Sequence, residues 1–275
     1  MKFITKFIAI PIFLTSHSLP QFYADSTIPD YVMEFMKIAD ETARKYDSGK
    51  GLLNPLTDEE IKHVAELYYK CYNNNPVVFL KYVNDLHQKW RRTFLDVVTG
   101  KMKLRPWLKV YKLRDQISNK YGIQFSEVIG TPALLRARYV SRSKNWFTVN
   151  DDWLEFRYKY FIFVLEDILK GSKYFSIRDT VRVISIGNVE SPSPKFIAGD
   201  SYLIPLRPLI DSEEYDGQIA FNHLHDYYDG WAMGQPPKTF PIIDEKITNA
   251  DYFGISDTSW IDFKKYFKEK FLIFD

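Results

Sequence analysis

At 275 residues, with 45% hydrophobic and 26% charged positions, the chain can build a substantial packed core, and the balance excludes wholesale disorder. The formal net charge is only +2. A polyanion binder carries a large basic excess, so nucleic acid is excluded as the expected partner.

The first residues have the layout of an export signal. Lys2 and Lys6 give a positive start, Phe7 to Leu14 ("FIAIPIFL") is a short apolar run, and Ser16-His17-Ser18 offers a small-x-small cleavage site. The run is too short to span a bilayer, and Pro11 and Pro20 argue against a buried helix there. Removal of residues 1–18 takes away two of 37 Lys+Arg and no acid, leaving 35 cations against 35 Asp+Glu. No later apolar run approaches the length of a span. Cys71 is the single cysteine, so an intramolecular disulfide is impossible, and the setting fits a bacterial periplasm or exterior. Cys71 falls on the apolar face of an expected helix, where packing explains it without catalysis.

Residues 27–122 read as helical. Val32, Phe35, Met36, Ala39, Ala43 and Tyr46 recur at helical spacing, and Gly49 and Gly51 end that run. Thr57 and Glu60 form a capping box, which opens a helix with Ile61, Val64, Tyr68, Cys71 and Tyr72 on one face. Asn73 to Pro76 breaks it. Phe79, Val83, Leu86, Trp90, Phe94 and Val97 mark a third helix, and Pro106 to Tyr121 a fourth. Lys101, Lys103, Arg105, Lys109, Lys112 and Arg114 form a basic stretch, read as a solvated helix face rather than an anion site.

Beyond Gly122 the period changes to two. Residues 132–142 alternate, with Leu134, Arg136, Arg138 and Val140 on one side and Ala133, Leu135, Ala137 and Tyr139 on the other. Residues 153–166 put Phe156, Tyr158, Tyr160, Ile162 and Val164 on one expected core face. Residues 179–187, 200–206 and 239–247 read as three further strands, and Trp260, Phe263, Tyr266, Phe267 and Phe271 mark a closing amphipathic helix. Helices first and strands after predict an α+β architecture. The expected divisions are a signal peptide at 1–18, a helical region at 27–122, a strand-rich unit at 130–250 and a helix at 256–273.

Within 130–270, Val164, Lys170, Gly171, Val181, Val183, Gly199, Tyr202 and Leu203 follow a pattern: a strand ending in Lys-Gly, a strand of alternating valines, Gly-Asp, then Tyr-Leu and an apolar strand. This order resembles the small OB-like barrels of the netrin-like, metalloproteinase-inhibitor-like type, which include bacterial secreted members. The resemblance implies a small antiparallel β-barrel. Inhibitory members insert a disulfide-tethered N-terminal Cys into a protease, and this chain has no such Cys, so that activity is not implied.

Chemistry-bearing residues cluster in "FNHLHDYYDGW" (221–231). His223, His225 and Asp226 supply two imidazoles and a carboxylate, the donor set of Zn²⁺ or another divalent metal, but the spacing matches no specific motif and the favoured reading is a polar, aromatic surface loop. Gly199-Asp200-Ser201 resembles the nucleophile block of GDSL hydrolases, but no His follows His225 to complete it, and a turn before a strand accounts for it. His63 and His87 sit singly on expected helices. The leading expectation is therefore an exported, non-enzymatic binding or envelope-associated protein whose partner is another protein or an envelope component. The alternative is a metal-dependent hydrolase using His223, His225 and Asp226.

Overall fold

The computed structural model describes residues 27–47, 56–83, 108–144, 147–151, 154–187, 194–210, 218–222, 224 and 239–274. The proposed signal at 1–18, most of the third helix and residues 101–107 of the basic stretch lie outside these.

Among the described residues the architecture is α+β. The helices are α1 (Asp30–Asp47), α2 (Asp58–Asn74), α3 (76–83), α4 (Leu108–Tyr121) and α5 (Ile123–Ile129), with α6 (Trp260–Phe271) at the far end of the chain. α1 buries Val32, Phe35, Met36 and Ala39. α2 starts where the capping box places it: the Glu60 N–H donates to Thr57 Oγ1 at 3.2 Å, and the Thr57 N–H donates to Glu60 Oε2 at 2.7 Å. α2 ends at Asn74, and α3 begins at Pro76, the proline standing at the first turn, where its missing N–H costs nothing. Cys71 is buried in α2, and burial pushes its thiol pKa up, as expected of a packing residue. The sequence pattern ends the helical run at 122, whereas α5 extends it to Ile129. Gly122 at φ +93° supplies the bend that separates α4 from α5.

The strands are β1 (Ala133–Arg142), β2 (Phe147–Asp151), β3 (Leu154–Lys170), β4 (Thr180–Gly187), β5 (Ser201–Leu209), β6 (Gln218–Phe221), β7 (Phe240–Ile243), β8 (Lys246–Ile247) and β9 (Thr258–Ser259). β1 pairs with β3, β3 with β4, β4 with β6 and β6 with β5, and β5 pairs back onto β1. Every pair in this circuit is antiparallel except β4–β6, so the sheet is mixed and the purely antiparallel expectation is corrected at that pair. β6 enters beside β4 after a connection from β5, and that path sets their common direction. β2, a hairpin partner of β3, is a strand that the sequence pattern did not mark.

Two further corrections have clear causes. Residues 239–247 are not one strand but the β7–β8 hairpin. Asp244 at φ +48° and Glu245 at φ +58° form the left-handed two-residue turn between Ile243 and Lys246. On β3 the core face is the other one. Phe161, Phe163 and Leu165 are buried, while Tyr160, Ile162 and Val164 are only half-buried. Both faces of β3 are apolar, so period two finds the strand and leaves its inward side undecided.

β3 bends as it wraps the circuit. Its register with β1 shifts between Leu134 and Leu135, between Arg136 and Ala137, and between Tyr139 and Ser141, the irregularities by which a strand curves. Inside, Phe196 lies against Tyr139, Phe161, Phe163, Tyr202 and Phe221 with ring centroids 4.9–5.7 Å apart. A second aromatic group joins Phe240, Phe253, Phe263, Phe267 and Phe271, and it packs α6 against the β7 hairpin and the 3₁₀ turn Ala250–Phe253. Most of the buried apolar residues of helices and sheet belong to one continuous core; Ile184, Leu209 and Ala220 of the sheet lie outside it. Phe125 of α5 meets Phe271 and Phe274 at 6.4 and 6.2 Å, which joins α5 to α6 and the residues that follow it.

Candidate functional site

His223, His225 and Asp226 lie outside the described residues. The strand that leads to them is placed: Phe221 ends β6, the Asn222 N–H donates to Pro205 O at 2.9 Å, and Asn222 Nδ2 donates to Thr131 Oγ1 at 2.6 Å. β6 therefore ends beside the α5–β1 junction. His63 is exposed and lies 2.8 Å from Glu34 Oε1, tying α2 to α1. His87 lies outside the described residues. Among those described, no group of three or more His, Cys, Asp or Glu is arranged to hold a metal ion. Arg114, from the end of the basic stretch, is not a solvated cation. It lies 3.6 Å from Glu127 and stacks on the Tyr111 ring at 4.8 Å, and burial opposed by the neighbouring Tyr and Glu charges leaves its pKa raised.

A charged seam lies where β1, β3, β5, the β7–β8 turn and α6 meet. Arg136 donates from Nε to Glu166 Oε2 at 3.0 Å, and its two Nη atoms donate bidentately to Glu245 at 2.6 Å each. Arg138 Nε lies 3.3 Å from the other Glu166 oxygen, and Ser201 Oγ donates to Glu166 Oε2 at 2.7 Å. One position further on, Asp167 accepts from Trp260 Nε1 at 2.8 Å, from Lys264 Nζ at 2.7 Å and from the Ile168 N–H at 2.9 Å. Glu166 falls at the register shift after Arg136, where Arg136 pairs with Asp167 and Ala137 with Leu165.

The electrostatics follow from these contacts. The Glu245 hydrogen bonds raise the Arg136 pKa against its burial, with Glu166 adding to the rise. The Arg136 hydrogen bond holds the Glu245 carboxyl below its ordinary value. Burial pushes the Asp167 carboxyl up, but the Lys264, Trp260 and Ile168 donors outweigh it, and the net shift is downward. Arg136, Arg138 and Lys264 balance Glu166, Asp167 and Glu245, so the seam has no net charge with which to recruit an ion. It fastens the β7 hairpin and α6 to the sheet. Ser201, the expected turn serine, begins β5 and spends its hydroxyl on Glu166, a carboxylate already committed to two arginines; this is not the pairing that activates a nucleophile.

A different surface is partly open. Across β3 and β4, Tyr160 pairs with Ile184, Ile162 with Arg182 and Val164 with Thr180, all on the face turned away from the core pairs Phe161–Val183 and Phe163–Val181. Tyr160, Ile162, Val164 and Thr180 are half-buried, Arg182 is exposed, and Ile184 is buried. Arg138, also exposed, stands beside Val164 from β1. Tyr160 is oriented by a hydrogen bond from its hydroxyl to Gln218 Oε1 at 3.3 Å. This face combines apolar area with cationic corners at Arg138 and Arg182. The sequence signal for it was the even-numbered apolar set on β3, read as core.

The chain matches no protein-family model, and no curated protein is significantly similar to it. Chemistry and geometry alone therefore bear on its function.

Proposed function

We propose that the protein is an exported, non-enzymatic binding or envelope-associated protein. It is built on an OB-type barrel and meets a protein or an envelope component through the outward face of β3 and β4. The observation that carries this reading is the pairing order β1-β3-β4-β6-β5-β1 with β4–β6 as its parallel pair. A five-stranded circuit of this order, in which the second and third strands offer a face to ligands, is the arrangement of OB barrels. The netrin-like resemblance points the same way: Lys170-Gly171 ends β3, Val181 and Val183 face inward from β4, Gly199 turns at φ +95°, and Tyr202-Leu203 lie on β5. Fold alone does not assign a ligand. The near-zero charge of the chain without residues 1–18 argues against a polyanion, and the mixed apolar and cationic face suits a partner with matching apolar and acidic groups.

The test has two arms. Intact mass of the product from a bacterial host is expected to show loss of about the first 18 residues; full-length product held in the cytoplasm would overturn export. A photo-crosslinking amino acid is then placed at Ile162 or Arg182, with Lys265 on the exposed face of α6 as the control. Discrete adducts from the two sheet positions and none from position 265 support the face. Adducts from position 265 alone would overturn it.

A further inference from the structure

We draw no further inference here: the strongest candidate, the outward face of β3 and β4 with Tyr160, Ile162 and Val164 beside Arg182, belongs to the surface already described, and nothing among the described residues shows what covers it.

Discussion

Lys170 offers a decisive test of how the helices are joined to the sheet. It is only 4% exposed, at the last position of β3. Its ammonium donates to Val128 O at 2.7 Å and Ile129 O at 3.0 Å, the final carbonyls of α5, and lies 5.0 Å from the centroid of the Tyr69 ring on α2. Substitution by Met keeps the unbranched stem and removes the charge. Two charge-assisted hydrogen bonds are worth about 1.5–3 kcal/mol each. The helix-end interaction adds about 0.3–1 kcal/mol and the cation–π contact about 0.5–2 kcal/mol. Against this, Met escapes the several kcal/mol needed to bury an ammonium. The two carbonyls also keep other donors, since the Thr131 N–H reaches Val128 O at 3.2 Å and Asn73 Nδ2 reaches Ile129 O at 3.3 Å. The opposing quantities leave a net loss of roughly 2–3 kcal/mol. Urea unfolding of Lys170→Met is expected to show this loss with an unchanged m value, and a Tm lower by about 5–10 °C. A variant as stable as the parent, or more so, would refute the reasoning: desolvation of the ammonium would then exceed what α5 and Tyr69 return.

Two glycines with nearly the same φ make a controlled pair. Gly171 and Gly199 sit at +94° and +95°, but a Cβ at Gly171 would stand 2.8 Å from Ala133 Cβ, whereas one at Gly199 meets nothing within 4 Å. Gly199→Ala is expected to cost about 1 kcal/mol in chemical denaturation and Gly171→Ala about 2–4 kcal/mol, because overlap adds to backbone strain; equal costs would contradict the placement of β3 against β1. A double-mutant cycle on Arg136→Ala and Glu245→Ala should give a coupling of roughly 1 kcal/mol, reduced by salt because Glu245 is largely exposed. The Asp167 and Glu245 carboxyls lie below their ordinary pKa values, so the unfolded chain takes up protons first and stability is lost as pH falls below about 4. Asp167→Asn should flatten that acid limb in pH-dependent melting, and a curve parallel to the parent's would count against the seam. For the hydrolase alternative, elemental analysis of the purified product is expected to give well under one equivalent of any divalent metal, unchanged by His223→Ala. A stoichiometric metal lost in that variant would revive it.

The helical faces and most strands were legible because their apolar periods are driven by burial on one side. Val32, Phe35 and Met36 could only be a helix stripe, and the Thr57–Glu60 box fixed the start of α2 to the residue. Where both sides of an element are apolar the period loses its meaning, which is why β3 was read with its faces exchanged. The seam was illegible for another reason. Glu166, Arg136 and Glu245 are separated by 30 and 109 positions in the chain, and no local pattern connects residues that meet only when the sheet curls. The Asp244-Glu245 turn is similarly hidden, since neither residue has the glycine signature of a left-handed turn. The bidentate Arg136 contact and the Glu245 carbonyl, which accepts from the Trp260 N–H at 2.7 Å, hold it there.

β3 divides its duties along its length. From Glu166 to the turn beyond its end, successive polar groups each grip a different neighbour: Glu166 takes β1 and β5, Asp167 takes α6, Lys170 takes α5, and Lys173 and Tyr174 reach the Asn73 and Asn74 carbonyls at the end of α2. A stretch committed to so many partners cannot also yield to a ligand without loosening the fold. Tyr160, Ile162 and Val164 precede it on the same strand; Ile162 and Val164 offer apolar side chains, and the Tyr160 hydroxyl reaches across to Gln218. Binding and stability should therefore separate by position. Ile162→Ser, read with the crosslinker at position 182, and Arg182→Glu, read with it at position 162, should each abolish crosslinking while moving the urea midpoint little, since half-exposed and exposed sites seldom contribute more than about 0.5–1 kcal/mol. Substitutions at 166–174 should do the reverse. If Arg182→Glu unfolds the protein, the face is part of the core's support and the division along β3 is wrong.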